Sequence, residues 1–291
     1  MEQYVKDFIE YLKNVKHASV NTLQAYQNDL KKLLLFYEKQ NINSVIKINE
    51  TSLNSYVLTL EKEGLSPASV SRNIAAMKAF LLYLIKQGIM KGDPSERIKP
   101  PKIQKKLPQV IDASMVDKLL LQPNLNTQKG IRDRAMLELL YATGLKVTEL
   151  ISIKVSDVNL SGKYITCGEI RERNVPFGKT AKVALQEYLK IRSTHFDKNN
   201  NEILFLNSSG EQLSRQGLWK ILKAYAKPVG LNDINPNTIR HSFAVHMIDN
   251  GADLGSVQEL LGHADITTTQ LYMTHGYKNS REVYMNTHPR A

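Results

Sequence analysis

Two mostly helical domains joined by a basic, proline-rich strap, the second carrying one small antiparallel sheet, is the architecture that the order of residues predicts. Three observations carry it. Apolar residues recur at helical spacing over most of the chain, as at Tyr4, Phe8 and Leu12, and again at Leu23, Tyr26, Leu30, Leu33, Leu34 and Tyr37. One stretch, KYITCGEIRERNVPF, alternates instead and lies between Gly162 and Gly178, as antiparallel strands do. Residues 90–108, MKGDPSERIKPPKIQKKLP, hold four prolines and the cations Lys91, Arg97, Lys99, Lys102, Lys105 and Lys106 against Asp93 and Glu96, a composition that keeps a chain extended. With 291 residues, 42% of them hydrophobic, the chain can fill two cores at roughly 150 residues per domain.

In chain order, residues 1–90 read as four or five short helices. Ser19, and Ser66 followed by Pro67, supply the cap and first-turn proline that start helices, and Gly88 and Gly92 stop the last one. After the strap (91–108), the second domain (109–291) opens with a helix capped by Ser114. The next helix breaks near Gly144 and restarts over Val147 to Leu150. Two or three strands follow, with a polar turn from Gly168 to Arg171, and from Lys179 onward the chain reads as helical to its end. Trp219 and the Met-rich stretches have core spacing, and Cys167 reads as a small strand residue.

Charge narrows the function classes. Lys and Arg number 39 against 28 Asp and Glu, a net +11 that favours a polyanionic partner, nucleic acid first. No apolar run approaches the ~20 residues of a membrane span, and MEQYVKDFIEYLK lacks the apolar core of an export signal, so a cytoplasmic, nucleoid-associated protein is expected. The single cysteine excludes an internal disulfide and a zinc finger, and the histidines, His241, His246, His275 and His288 among them, have no metal-ligand spacing. Phosphate-loop, dinucleotide and HExxH signatures are missing. Chemistry without cofactor or metal is the expectation.

The segments LLYATGLKVTELISIKVSDVNL, NPNTIRHSFAVHMIDNGADLGSVQELLGHADITTTQLYMTH and REVYMNTHPRA strongly resemble the tyrosine recombinases of the Xer and phage-integrase type. HASVNTLQAYQNDL and SPASVSRNIAAMKAF resemble that family's helical core-binding domain, and PPKIQKKLP its interdomain linker. The resemblance runs nearly end to end and implies the two-domain DNA breaking and rejoining fold. It also implies a reaction in which a tyrosine attacks a DNA phosphodiester, leaving a 3′-phosphotyrosyl bond and a 5′-hydroxyl. Two arginines would hold the phosphate oxygens, a hairpin lysine would protonate the leaving oxygen, and two further residues would assist proton transfer.

Three of those six positions match: Tyr272 as nucleophile, Arg240 in TIRHSF as second arginine, and His263 in LLGHAD, nine residues before Tyr272. At the other three, Lys146 stands for the first arginine, Gly168 for the leaving-group lysine and Asn237 for the histidine that precedes Arg240 by three. A lysine keeps the charge and loses the planar fork. Losing one preorganised donor costs ~2.7 to 4 kcal/mol. The expectation is therefore a sequence-specific DNA-binding protein that has lost strand cleavage, a regulator of a phage or mobile element. Its alternatives are a working recombinase in which Arg171 serves for the missing lysine, and a non-cleaving partner of an active recombinase. Duplex DNA is expected to meet Arg72, Lys99, Lys102, Lys105, Lys106, Lys146, Arg171, Arg173, Arg215 and Arg240. The tail from Lys278 to Ala291 is expected to dock on a second copy, giving a homo-oligomer on DNA.

Overall fold

The computed structural model describes residues 1–103, 109–168, 172–196, 200–262 and 287–290. The chain divides into two units, Met1–Lys106 and Leu107–Ala291.

Among the described residues the first unit holds four α-helices, α1 (Glu2–Asn14), α2 (Val20–Lys39), α3 (Glu50–Lys62) and α4 (Pro67–Lys86). Each start has a physical cause: the Ser19 and Ser66 hydroxyls accept the N–H groups of Thr22 (3.2 Å) and Ser69 (3.3 Å), and Asn49 and Ser52 cap α3 reciprocally. α4 is long and apolar enough to cross a membrane by composition, which uninterrupted-run counting missed because Arg72 and Lys78 break the run. It is instead the centre of this core, burying Val70, Ile74, Met77, Phe80, Leu81 and Leu84. One polar cluster is buried with it. Asp29 accepts the fork of Arg72 (2.7 and 2.9 Å) and the amide of Asn73 (3.0 Å), whose carbonyl takes the Tyr56 hydroxyl (2.9 Å). The strap begins later than its composition suggests: Met90 and Ile98 are in this core, and Ser95 is buried with its hydroxyl on Asp93 (2.6 Å).

The second unit contains α5 (Ala113–Leu120), α6 (Gln128–Thr143), α7 (Val147–Ser152), β1 (Val158–Asn159), β2 (Tyr164–Cys167), β3 (Arg173–Pro176), α8 (Lys179–His195), α9 (Arg215–Ala226), α10 (Pro236–Asp249) and α11 (Leu254–Leu261). The cap of α5 is Asp112 and not Ser114: the N–H groups of Met115 and Val116 already bond the Asp112 carbonyl, which puts Ser114 inside the first turn. α6 is buried along nearly its whole length and ends on Gly144 at φ +59. A Cβ there would lie 2.4 Å from Phe243, so both backbone and space require glycine.

The sheet is antiparallel in the order β1-β2-β3, with Ile165 opposite Val175 and Cys167 opposite Arg173. Cys167 is buried, and burial pushes its thiol up to about 11. The expectation of helix from Lys179 to the end needs correction. Residues 200–214 are non-helical, bridged at Lys154 with Ile203 and at Leu206 with Gln212, and the run Leu204-Phe205-Leu206 is fully buried. Arg192 holds that segment in place by donating to the carbonyls of Asn201, Ile203 and Leu204. Trp219 is not core either: it is 43% exposed, with the Lys223 ammonium 4.2 Å from its ring centre.

Candidate active site

α10 begins at a reciprocal cap between Asn235 and Thr238 and carries Asn237, exposed on its first turn, and Arg240, one turn later and 5% exposed. Arg240 donates from Nη1 to the Gly144 carbonyl (2.7 Å) and from Nη2 to the Leu261 carbonyl (2.8 Å). These are the last carbonyls of α6 and α11, which have no helical partner of their own. One guanidinium therefore binds the α6–α7 turn to the end of α11. Burial lowers Arg240 to about 10, and it stays charged at neutral pH.

Lys146 opens α7 with its side chain exposed; its backbone N–H donates to Glu149 Oε2 (2.9 Å). Glu149 is the residue that sequence reasoning missed. Its carboxylate takes both Nη groups of Arg173 (2.9 and 3.1 Å), and Arg173 Nε reaches the Leu260 carbonyl (2.9 Å). Burial pushes the Glu149 carboxyl up, but the Arg173 hydrogen bond, the Lys146 N–H and the charges of Arg173 and Arg240 outweigh it and hold it below its usual value. A glutamate three residues into a helix was the available signal.

The structure thus brings Lys146, Glu149, Arg173 and Arg240 together around the end of α11, immediately before His263. Gly168 ends β2 at φ +115, a conformation other residues rarely adopt, which agrees with a glycine that shapes the hairpin turn. His263, Tyr272, Arg171, Lys105 and Lys106 lie outside the described residues, as does His275.

Other expected DNA contacts belong to other elements. Arg215 is exposed at the first position of α9, where Ser214 Oγ accepts the Gly217 N–H (3.0 Å), and Gln216, Trp219, Lys220 and Lys223 are exposed along the same helix. Lys99 and Lys102 are exposed beyond Ile98. The Arg72 fork is directed onto Asp29. At the C-terminus, His288 packs between Tyr141 and Phe243, and Arg290 pairs with Glu138 and Asp117, so these residues rest on α5, α6 and α10 of their own chain. His246, also buried, shares a hydrogen bond with the Tyr141 hydroxyl (2.8 Å), a structural role.

Comparison with known proteins gives the following. Residues 109–279 match the pattern of the Phage integrase family, and residues 5–88 match that of the Phage integrase, N-terminal SAM-like domain. The chain is 44% identical over 301 residues to a protein of Listeria innocua named Tyrosine recombinase XerD, covering all of both chains. It is 42% identical over 287 residues to Tyrosine recombinase XerC of Herpetosiphon aurantiacus, covering 97% of this chain and 93% of that one. Among solved structures, XerH site-specific recombinase bound to difH substrate superposes with a TM-score of 0.72 at 22% identity, over 92% of this chain and 81% of that one, a likeness of fold.

Proposed function

Because this chain belongs to the phage integrase family, we propose that it is a site-specific DNA recombinase of the Xer type that cuts one strand of duplex DNA with Tyr272. The tyrosine hydroxyl forms a bond to phosphorus, the 5′ oxygen leaves, and rejoining reverses the step. Arg240 supplies forked donors to the phosphate; two of its five N–H groups are spent on carbonyls, leaving three. Lys146 supplies a second cation from the first-arginine position, and His263 assists proton transfer. Exposed Arg215, Lys99 and Lys102, with Lys105, Lys106 and Arg171, supply phosphate contacts that place the duplex. Copies assemble on DNA through the tail that begins at Lys278, short of the His288 and Arg290 end that rests on its own chain. This chemistry needs no metal or cofactor and takes place in the cytoplasm.

The observation that carries the reading is 44% identity over the full length to a protein named Tyrosine recombinase XerD, combined with the hydrogen-bonded framework around Arg240. Its test is a nicked suicide substrate, built on a site selected from fragmented host and phage DNA. A denaturation-resistant protein–DNA adduct that disappears in Tyr272→Phe supports cleavage.

A second reading has its own observation. Gly168 offers no leaving-group acid, Lys146 lacks a fork and Asn237 does not titrate, which favours a DNA-occupying regulator without cleavage, acting alone or beside an active recombinase. Tight, salt-sensitive binding without adduct selects it, and pull-down of an active recombinase from the host identifies the partner form.

A further inference from the structure

We propose that Arg173 is a positioning residue and not a DNA contact: with Arg240 it clamps the C-terminal carbonyls of α11, and through Glu149 it locks that end to the start of α7. The proposal rests on the recombinase reading for its cleavage readout only.

All three nitrogens of the Arg173 guanidinium are taken by protein acceptors. Nε donates to Leu260 O (2.9 Å), Nη1 to Glu149 Oε1 (2.9 Å), and Nη2 to Glu149 Oε2 (3.1 Å) and Leu261 O (3.3 Å). The side chain is 13% exposed and that of Glu149 15%. To grip a phosphate bidentately, Arg173 would have to surrender this fork and leave a largely buried carboxylate unpaired, an unfavourable exchange. Arg240 sits on the same Leu261 carbonyl. Two cations thus meet the negative end of α11, and Glu149 beside them offsets their repulsion.

The contact is also close in shape. Gly262 has φ +63, and a Cβ on it would stand 2.6 Å from Arg173 Cζ and Nη1, so the guanidinium closely approaches the backbone of the residue that precedes His263. β3, α7, α10 and α11 are thereby joined through one carboxylate and two guanidiniums. Each of these elements carries or borders a position that the reaction uses, so a shift in the clamp moves several of them together. A misplacement of ~1 Å at such a site costs about 10²-fold in rate.

The experiment compares Arg173→Lys, Arg173→Ala, Glu149→Gln and Gly262→Ala with the parent. It measures single-turnover adduct formation on the suicide substrate, DNA affinity across a salt series, and circular dichroism as a control for folding. The expected result is an adduct rate lower by about 10²-fold, affinity within about twofold, and an unchanged slope of log affinity against log salt. Lysine should fail to rescue, because a point charge cannot span Glu149 and two carbonyls. Gly262→Ala reaches the same contact from the opposite side and should give the same split even if Arg173→Ala does not fold. A salt slope smaller by about one in Arg173→Ala, with Arg173→Lys restoring it, would overturn the proposal and make Arg173 a phosphate contact. Should the parent form no adduct, the recombinase reading fails, and the salt slope alone decides the clamp.

Discussion

Lys146→Arg puts the two readings of this site in direct opposition. The backbone there is fixed independently of the side chain, between the α6 terminus at Gly144 and the Lys146 N–H held by Glu149 at 2.9 Å. The side chain is exposed, and its charge is the same in both forms. The substitution therefore changes only the shape of the head group, from a point charge to a planar fork able to hold two phosphate oxygens. One preorganised donor is worth ~2.7 to 4 kcal/mol. Because water competes at an exposed position, the lower end applies, about 10²-fold in rate. Single-turnover adduct formation at saturating DNA should rise by that amount while DNA affinity stays within about twofold. A gain below about threefold, with parental adduct detectable, would refute the reasoning by showing that the fork is not what limits cleavage. Gly168→Lys is the poorer test, because φ +115 strains any side chain placed there and confounds loss of hairpin geometry with gain of an acid.

Gly144→Ala forces a Cβ to within 2.4 Å of Phe243 and 2.9 Å of Leu261 at φ +59. The left-handed backbone and the overpacking together cost about 2 to 5 kcal/mol, and a calorimetric Tm lower by about 5 °C or more is expected; an unchanged Tm sinks the packing argument. Burial lowers His288 to about 3, so the unfolded chain binds its proton first. Stability should be fully present above about pH 6.5 and decline as pH falls toward 3; His288→Leu should flatten that part of the pH profile, and an equally steep decline in the variant assigns it elsewhere. Arg72→Ala leaves buried Asp29 with Asn73 but without its cation, and since Arg72 is half exposed the loss is discounted to about 1 to 3 kcal/mol by urea unfolding. If stability is unchanged and the salt slope of DNA binding falls by one, Arg72 is a phosphate contact instead.

What the sequence made legible is local. Ser19 and Ser66 cap the helices they precede, Gly144 breaks a helix where its φ requires, and the alternating segment forms β2 and β3 of the sheet, because each signal sits within a few residues of its effect. Trp219 misled because periodicity marks a face without saying whether anything covers it. The candidate site was half legible for the same reason. Arg240 could be named from its motif, but the role of Arg173 depends on a carboxylate 24 residues earlier and on carbonyls 87 and 88 residues later. As a string, RERNVP presents two similar cations; only the fold shows that one of them is already bound to Glu149. A count of basic residues therefore overstates the DNA-facing charge. Arg72, Arg132, Arg173, Arg192 and Arg290 are each engaged by carboxylates or carbonyls of this chain. The net +11 remains, but among the described residues the exposed lysines, Arg97 and Arg215, with the N–H groups that Arg240 keeps, carry the part of it that a phosphate can meet. A salt slope measured on the whole protein should follow that smaller set.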